Sequence, residues 1–93
     1  MAQDDIEDGI EIDAQGGGRY VVTQPSELED VRTWFEVSSE AMDRLGADDE
    51  EDVVRRTVRF LRRHQDVVDF PDSVDVEDVI AAYEDYLPAM AED

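Results

Sequence analysis

Electrostatic repulsion among acidic side chains limits how tightly this sequence can fold. The chain has 93 residues, of which 27 are Asp or Glu and 8 are Lys or Arg, so its formal net charge is −19 at pH 7. Like charges oppose compaction over a screening length that falls from about 8 Å in physiological salt to about 3 Å in 1 M salt. We therefore expect a high salt concentration to favour the folded state.

The basic residues are all Arg, and the sequence contains no Lys. This acid-rich, Lys-free and Val-rich composition resembles that of proteins from extreme halophilic archaea. The resemblance is one of composition, and it implies neither a family nor an activity. We interpret it as adaptation to a salt-rich cytoplasm; an acidic mimic of nucleic acid and an acidic tail-like binder are the alternative interpretations.

The sequence also narrows the possible chemistry and location. It contains no Cys, which excludes disulfide bonds, thiolate metal ligands and cysteine nucleophiles. No segment approaches the run of about 18 apolar residues that a membrane-spanning helix needs, and the N-terminus has no basic and apolar secretory signal. We expect a cytoplasmic protein that makes no contact with a membrane.

The N-terminal part of the sequence predicts a β-hairpin. Apolar and polar residues alternate from Ile10 to Ala14, and residues 20–23 are rich in strand-forming side chains. The glycines between them can adopt the positive φ angles of a hairpin turn. We predict strands at 9–14 and 19–23, preceded by a disordered acidic N-terminus at 1–8.

Three amphipathic helices are predicted after the hairpin, at about 26–46, 48–66 and 73–88. The first begins with a Ser-x-x-Glu capping box and ends at Gly46, a residue type suited to a left-handed C-cap. Pro88 ends or kinks the third helix because it lacks a backbone N–H group.

Together these elements predict a single α+β domain over residues 9–90, in which a short N-terminal β-hairpin is followed by three amphipathic helices. Residues 91–93 would form a loose acidic tail. Two strands alone are only marginally stable, so the hairpin must pack on the helices. The alternative fold is an all-α three-helix bundle with a disordered N-terminus.

One candidate binding surface is an arginine face on the predicted second helix. Helical spacing places five arginines opposite its apolar side: Arg55, Arg56, Arg59, Arg62 and Arg63. Guanidinium groups bind carboxylates and phosphates, so this face could contact a protein partner or nucleic acid. We favour pairing with the chain's own acids, such as Glu51 and Asp52 one turn earlier. No aromatic residue lies on this side, which makes nucleic acid the less favoured partner without excluding it.

A second candidate surface is the flank that Trp34, Val37 and Ala41 form on the predicted first helix. These residues widen the apolar stripe beyond the arc of about 100° that a helix with one neighbour needs. If the hairpin covers this flank, the three residues belong to the core. If it does not, they form an exposed apolar patch of the kind that marks an association site, and Trp is a frequent binding hot spot.

No motif indicates an enzyme, a cofactor or a specific metal site. The glycines before Arg19 lack the lysine and hydroxyl residue of a phosphate-binding loop, and His64 has no second His or Cys beside which to bind a transition metal. The acids at every third position of 66–78 do not match a calcium loop. We expect a non-enzymatic interaction or regulatory module, acting on a protein partner or by self-association. The alternative is a nucleic-acid-associated regulator that uses the arginine face.

The charge imbalance predicts that stability rises with salt. We expect the free energy of unfolding, measured in urea, and the dispersion of the amide NMR signals to increase between low salt and about 3 M KCl, because the acids are then screened. Sucrose at matched osmolality is the control for solute exclusion. Light scattering along the same series detects self-association, and stability that is insensitive to KCl would contradict the adaptation hypothesis.

Overall fold

The computed structural model describes residues 9–27 and 29–92, and a β-hairpin begins the described part. Strand β1 spans Glu11–Gly16 and pairs antiparallel with β2, which spans Arg19–Gln24. The turn glycines have φ angles between 64° and 92°, which other residue types rarely adopt. The predicted hairpin is thus present, although its first strand begins and ends two residues later than predicted. The predicted disordered segment at 1–8 lies outside the described residues.

Residues 31–36 form a third strand, where the sequence predicts the first half of a long helix. Strand β3 spans Val31–Glu36 and pairs antiparallel with β2 along its whole length. Its side chains alternate between exposed and buried, with Thr33 and Phe35 buried and Trp34 exposed. The helix prediction was wrong here because pairing with the hairpin outweighs a helical spacing of apolar residues, and the segment also carries the β-branched and aromatic residues that strands favour.

The predicted architecture of one hairpin and three helices is therefore wrong, and so is the all-α alternative. A short fourth strand, β4, spans Ser73–Asp75 at the position predicted to begin the third helix. It pairs in parallel with β3, from Trp34 opposite Ser73 to Glu36 opposite Asp75. The result is an α+β fold with a mixed four-stranded sheet in the order β1-β2-β3-β4.

Within the described residues the structure contains four α-helices, named in chain order: α1 Ser39–Leu45, α2 Glu50–Arg62, α3 Val76–Ala82 and α4 Tyr86–Glu92. A short 3₁₀ helix at Val67–Asp69 lies between α2 and β4. The predicted first helix is reduced to α1, which does end at the left-handed Gly46. The predicted third helix is two helices, and Pro88 lies in the first turn of α4, where its missing N–H group costs little. None of these helices has the length and apolar character needed to cross a lipid bilayer.

Two hydrogen bonds connect helix α2 to one face of the sheet. The Tyr20 hydroxyl of β2 donates to Glu50 Oε1 of α2 at 2.8 Å, and Arg62 Nε donates to Gln24 Oε1 at 2.8 Å. Burial, followed by this bond to Glu50, raises the pKa of Tyr20 from 10.0 to about 12. Because folding raises this pKa, protonated Tyr20 stabilises the folded chain below pH 10. This stabilisation is lost as the pH rises from 10 to about 12.

The core between sheet and helices is rich in Val and contains one buried pair of hydroxyl groups. The Thr57 hydroxyl of α2 lies 2.6 Å from the carbonyl oxygen of Val53, to which it donates, and 2.6 Å from the hydroxyl of Tyr86 in α4. Since Thr57 has a single hydroxyl proton, the Tyr86 hydroxyl donates to it. Burial raises the pKa of Tyr86, while the nearby positive charge of Arg56 partly opposes that shift.

This donor order predicts unequal costs for two substitutions that remove the same hydrogen bond. Tyr86→Phe leaves the Thr57 hydroxyl bonded to Val53, so we expect a loss of about 1 kcal/mol in the free energy of unfolding. Thr57→Val keeps the side-chain shape but leaves a buried phenol unpaired, so we expect about 2 kcal/mol. Urea unfolding of both variants measures the difference, and a larger loss for Tyr86→Phe would reverse the assignment.

Candidate interaction surface

The sheet has one face that none of the helices among the described residues covers, which we call the outer face. Successive residues of a strand point to opposite faces, so the register of the strands determines its membership. The outer face comprises Glu11, Asp13, Arg19, Val21, Thr23, Arg32, Trp34, Glu36, Ser73 and Asp75. These residues are exposed or half-buried, whereas Val22 and Phe35 on the helix side of the sheet are buried. A one-sided antiparallel sheet commonly presents such a face to water.

Trp34 lies at the centre of the outer face. Its side chain is 47% exposed, because its neighbours across the strands are Val21 in β2 and the small Ser73 in β4. The indole borders an open cleft of about 540 Å³ at the carboxyl ends of β3 and β4. We call this the Trp34 cleft, and its lining comprises Arg19, Trp34, Phe35, Glu36, Ser73, Val74, Asp75 and Asp78.

Carboxylates outnumber cations around the Trp34 cleft. Glu36, Asp75 and Asp78 carry the negative charges, whereas Arg19 carries the positive one. Arg19 Nε lies 3.6 Å from Glu36 Oε2, but both side chains are more than half exposed, so water weakens the attraction between them. The Asp75 carboxylate accepts a hydrogen bond from the backbone N–H of Glu77 at 2.9 Å, and the Asp78 side chain is exposed. The cleft therefore presents an indole surrounded by net negative charge.

The structure separates the three residues of the predicted Trp34 flank. Trp34 is on the outer face, whereas Val37 and Ala41 are buried in the core. Val37 follows β3 and donates its backbone N–H to the carbonyl oxygen of Gly18 at 2.8 Å, and Ala41 is the buried residue of α1. Because residues 31–36 are a strand, the helical flank does not exist, and only Trp34 remains accessible.

The predicted arginine face forms polar contacts within the chain through Arg55, Arg56 and Arg62. Arg55 pairs with Glu51 at 3.5 Å and Arg56 with Asp52 at 3.3 Å, both one helical turn apart, and both guanidinium-bearing side chains are mostly buried. Arg56 also donates to the carbonyl oxygen of Met90 in α4. The third is Arg62, through its bond to Gln24 in β2. These contacts favour the interpretation that the arginine face pairs with other groups of the same chain.

Two arginines of this face, Arg59 and Arg63, are exposed at the end of α2. Together with Arg56 they border a pocket of about 50 Å³ beside Ala89 and Met90 of α4. This space is about one-tenth of the Trp34 cleft, and it contains no exposed aromatic residue on which a base could stack.

The described part of the chain contains no cluster of side chains that could bind a metal ion. No group of three or more His, Cys, Asp or Glu side chains there is placed to hold a metal ion, which includes the acids of 66–78. His64 packs against the rings of Phe60 and Tyr83, with centroids 4.8 and 4.9 Å away, and its Nε2 lies 4.0 Å from Asp85 Oδ2. It is a packing residue at the edge of the core.

The chain matches no family model, no curated protein and no solved structure in comparisons with known proteins. Its function is therefore inferred from the geometry and chemistry of the outer face. Apart from Trp34, the residues around the cleft are absent from the sequence-based candidates. The alternation of residues 31–36 was an available signal, since it places Arg32 and Glu36 beside Trp34 on one face of a strand.

Neighbouring residues on opposite faces of β3 should differ sharply in their contribution to stability. We expect Trp34→Ala to lower the free energy of unfolding by about 1–2 kcal/mol, because about half of the residue is already exposed to water and only the other half is packed. Phe35→Ala should cost about 3–5 kcal/mol, because Phe35 is fully buried. Urea unfolding at constant salt measures both, and comparable losses for the two variants would place Trp34 in the core.

Proposed function

We propose that this chain is a non-enzymatic interaction module that binds a protein partner through the outer face of its sheet. The observation that supports this function most is Trp34, which is 47% exposed in an open cleft on a sheet face that none of the described helices covers. Covering the exposed half of an indole removes about 100 Å² of apolar surface from water and contributes about 2.5 kcal/mol to binding. A tryptophan at the centre of a mostly polar face is a suitable anchor for a partner.

A protein fits this surface better than nucleic acid does. Acids outnumber arginines on the outer face, where Arg19 and Arg32 are the cations among the described residues. The net charge of −19 also repels a phosphate backbone. A nucleic-acid-associated regulator that uses the arginine face is the second candidate, which the intramolecular contacts of Arg55, Arg56 and Arg62 disfavour.

The composition supports a salt-rich cytoplasm as the setting for this binding. Salt screens attraction between charges, whereas it does not weaken contacts between apolar surfaces and often strengthens them. An exposed indole is therefore a suitable anchor at high ionic strength. Charged groups around it would then determine which partners are accepted more than how tightly they bind.

A random-peptide display selection tests the proposal. The wild-type chain is the target, and Trp34→Ala is used for counter-selection. We expect the recovered peptides to lose binding to the Trp34→Ala chain and to shift the fluorescence of Trp34, which is the only Trp in the sequence. Val68→Ala is the matched control, because Val68 is the other large apolar residue that is exposed among the described residues, at 56%.

Two results would contradict the proposal. One is a selection that yields no peptide dependent on Trp34, with Val68→Ala and Trp34→Ala behaving alike. The other is a fluorescence shift of Trp34 upon addition of a poly-dT oligonucleotide in the absence of any selected peptide, which would favour nucleic acid instead.

A further inference from the structure

Strand β4 has an edge beside the Trp34 cleft with which no other described strand pairs, and we call it the free edge. The strand lies at the end of the sheet order and pairs with β3 on one side. The Trp34 N–H donates to the carbonyl oxygen of Asp72 at 2.8 Å, and in this parallel register Val74 also directs its backbone groups towards β3. The N–H and C=O of Ser73 therefore point away from the sheet, where an incoming strand can pair with them.

A second cleft lies on the other side of β4, next to the helices. It has a volume of about 250 Å³ and is lined mainly by apolar side chains, including Leu61 of α2, Val79 of α3 and Tyr83. We call it the α3 cleft. It shares four lining residues with the Trp34 cleft, so the two clefts meet along β4: Ser73, Val74, Asp75 and Asp78.

The two clefts differ in the side chains that they would accept. The Trp34 cleft combines an indole with the carboxylates of Glu36 and Asp78, and a cation above an indole face is attracted by both. The α3 cleft is more apolar and suits an aliphatic side chain. Successive residues of an extended chain point to opposite sides, so one strand along β4 can place a residue of each kind.

We infer that the partner provides an extended basic segment that adds to the free edge of β4. An Arg or Lys side chain of this segment lies over Trp34, and the aliphatic residues on either side of it enter the α3 cleft. This inference rests on the proposed function, since it specifies the partner of the same surface. A second copy of the chain is disfavoured as the occupant, because each copy has a net charge of −19.

The length of β4 limits the contribution of backbone pairing. The strand comprises only Ser73–Asp75, and Asp75 also caps α3. Few backbone hydrogen bonds are therefore available to an added strand, so the cation over Trp34 and the aliphatic side chains must provide most of the affinity.

The probe for this inference is the blocked peptide acetyl-Ser-Val-Arg-Val-Arg-Val-Ser-amide, at the lowest salt concentration at which the chain is folded. We expect it to shift the fluorescence of Trp34 and the amide NMR signals of Ser73 and Val74. The control peptide with Glu in place of both Arg residues should bind about tenfold more weakly or worse. A peptide with Pro in place of the central Val should also bind less, because Pro cannot donate to the strand edge.

Charge reversal on the protein provides the complementary test. Asp78→Lys should weaken binding of the Arg peptide about fivefold or more, because it removes one of the carboxylates beside Trp34. Glu40→Lys is the matched control, since Glu40 is an exposed acid in the first turn of α1, as Asp78 is in α3, and lies outside both clefts. We expect Glu40→Lys to change the affinity by less than about twofold.

The possible failures are distinguishable. If the Arg and Glu peptides bind equally, or if neither shifts the signals of Ser73 and Val74, the inference is overturned. The proposed function still stands in that case, provided that the display selection recovers other peptides that require Trp34. If no peptide of any composition requires Trp34, both the inference and the proposed function are wrong.

Discussion

The antiparallel pairing of β2 with β3 is the interaction on which the rest of the structure depends. Its register places Val21 opposite Trp34 and Tyr20 opposite Phe35. A slip by one residue would exchange the two faces of the strand and would turn the indole into the core. The hydrogen bond from the Val37 N–H to the Gly18 carbonyl oxygen helps to hold this register. This close approach requires glycine at position 18, because a Cβ atom there would lie only 2.4 Å from the Val37 carbonyl oxygen. One pairing thus determines both the core and the candidate binding surface.

The sequence predicts the parts of this fold that depend on residues close together along the chain. The glycine turn indicates the hairpin, and Asp49 accepts a bond from the Asp52 N–H at 3.2 Å where the second helix was expected to begin. Residues 31–36 fit both a helical stripe and a strand alternation, and the choice depends on β2, which lies beside them only in the folded chain. The three residues of β4 are too few to show any periodicity, and their partner is distant in sequence.

The candidate site was predictable only in part, for the same reason. An exposed Trp34 was one of two outcomes that the sequence left open, but its proposed companions Val37 and Ala41 are buried once the helix is replaced by a strand. The arginine face follows from helical spacing, whereas the burial of Gln24 against Arg62 arises from the packing of β2 on α2. Local patterns identify which side chains share an element, and tertiary packing determines which of them remain accessible.

The parallel pairing of β3 with β4 has a consequence for the order of folding. It joins two strands that residues 37–72 separate, so the chain loses the entropy of closing a long loop before three residue pairs can form. β4 is accordingly expected to join the sheet late and to detach before the hairpin unfolds. A ligand bound to the outer edge of β4 would oppose this local opening. It would lower the equilibrium constant for opening by a factor of one plus the ratio of the ligand concentration to the Kd. Partner binding would then be measurable as slower hydrogen exchange at β4, so that assembly and the last step of folding are thermodynamically linked.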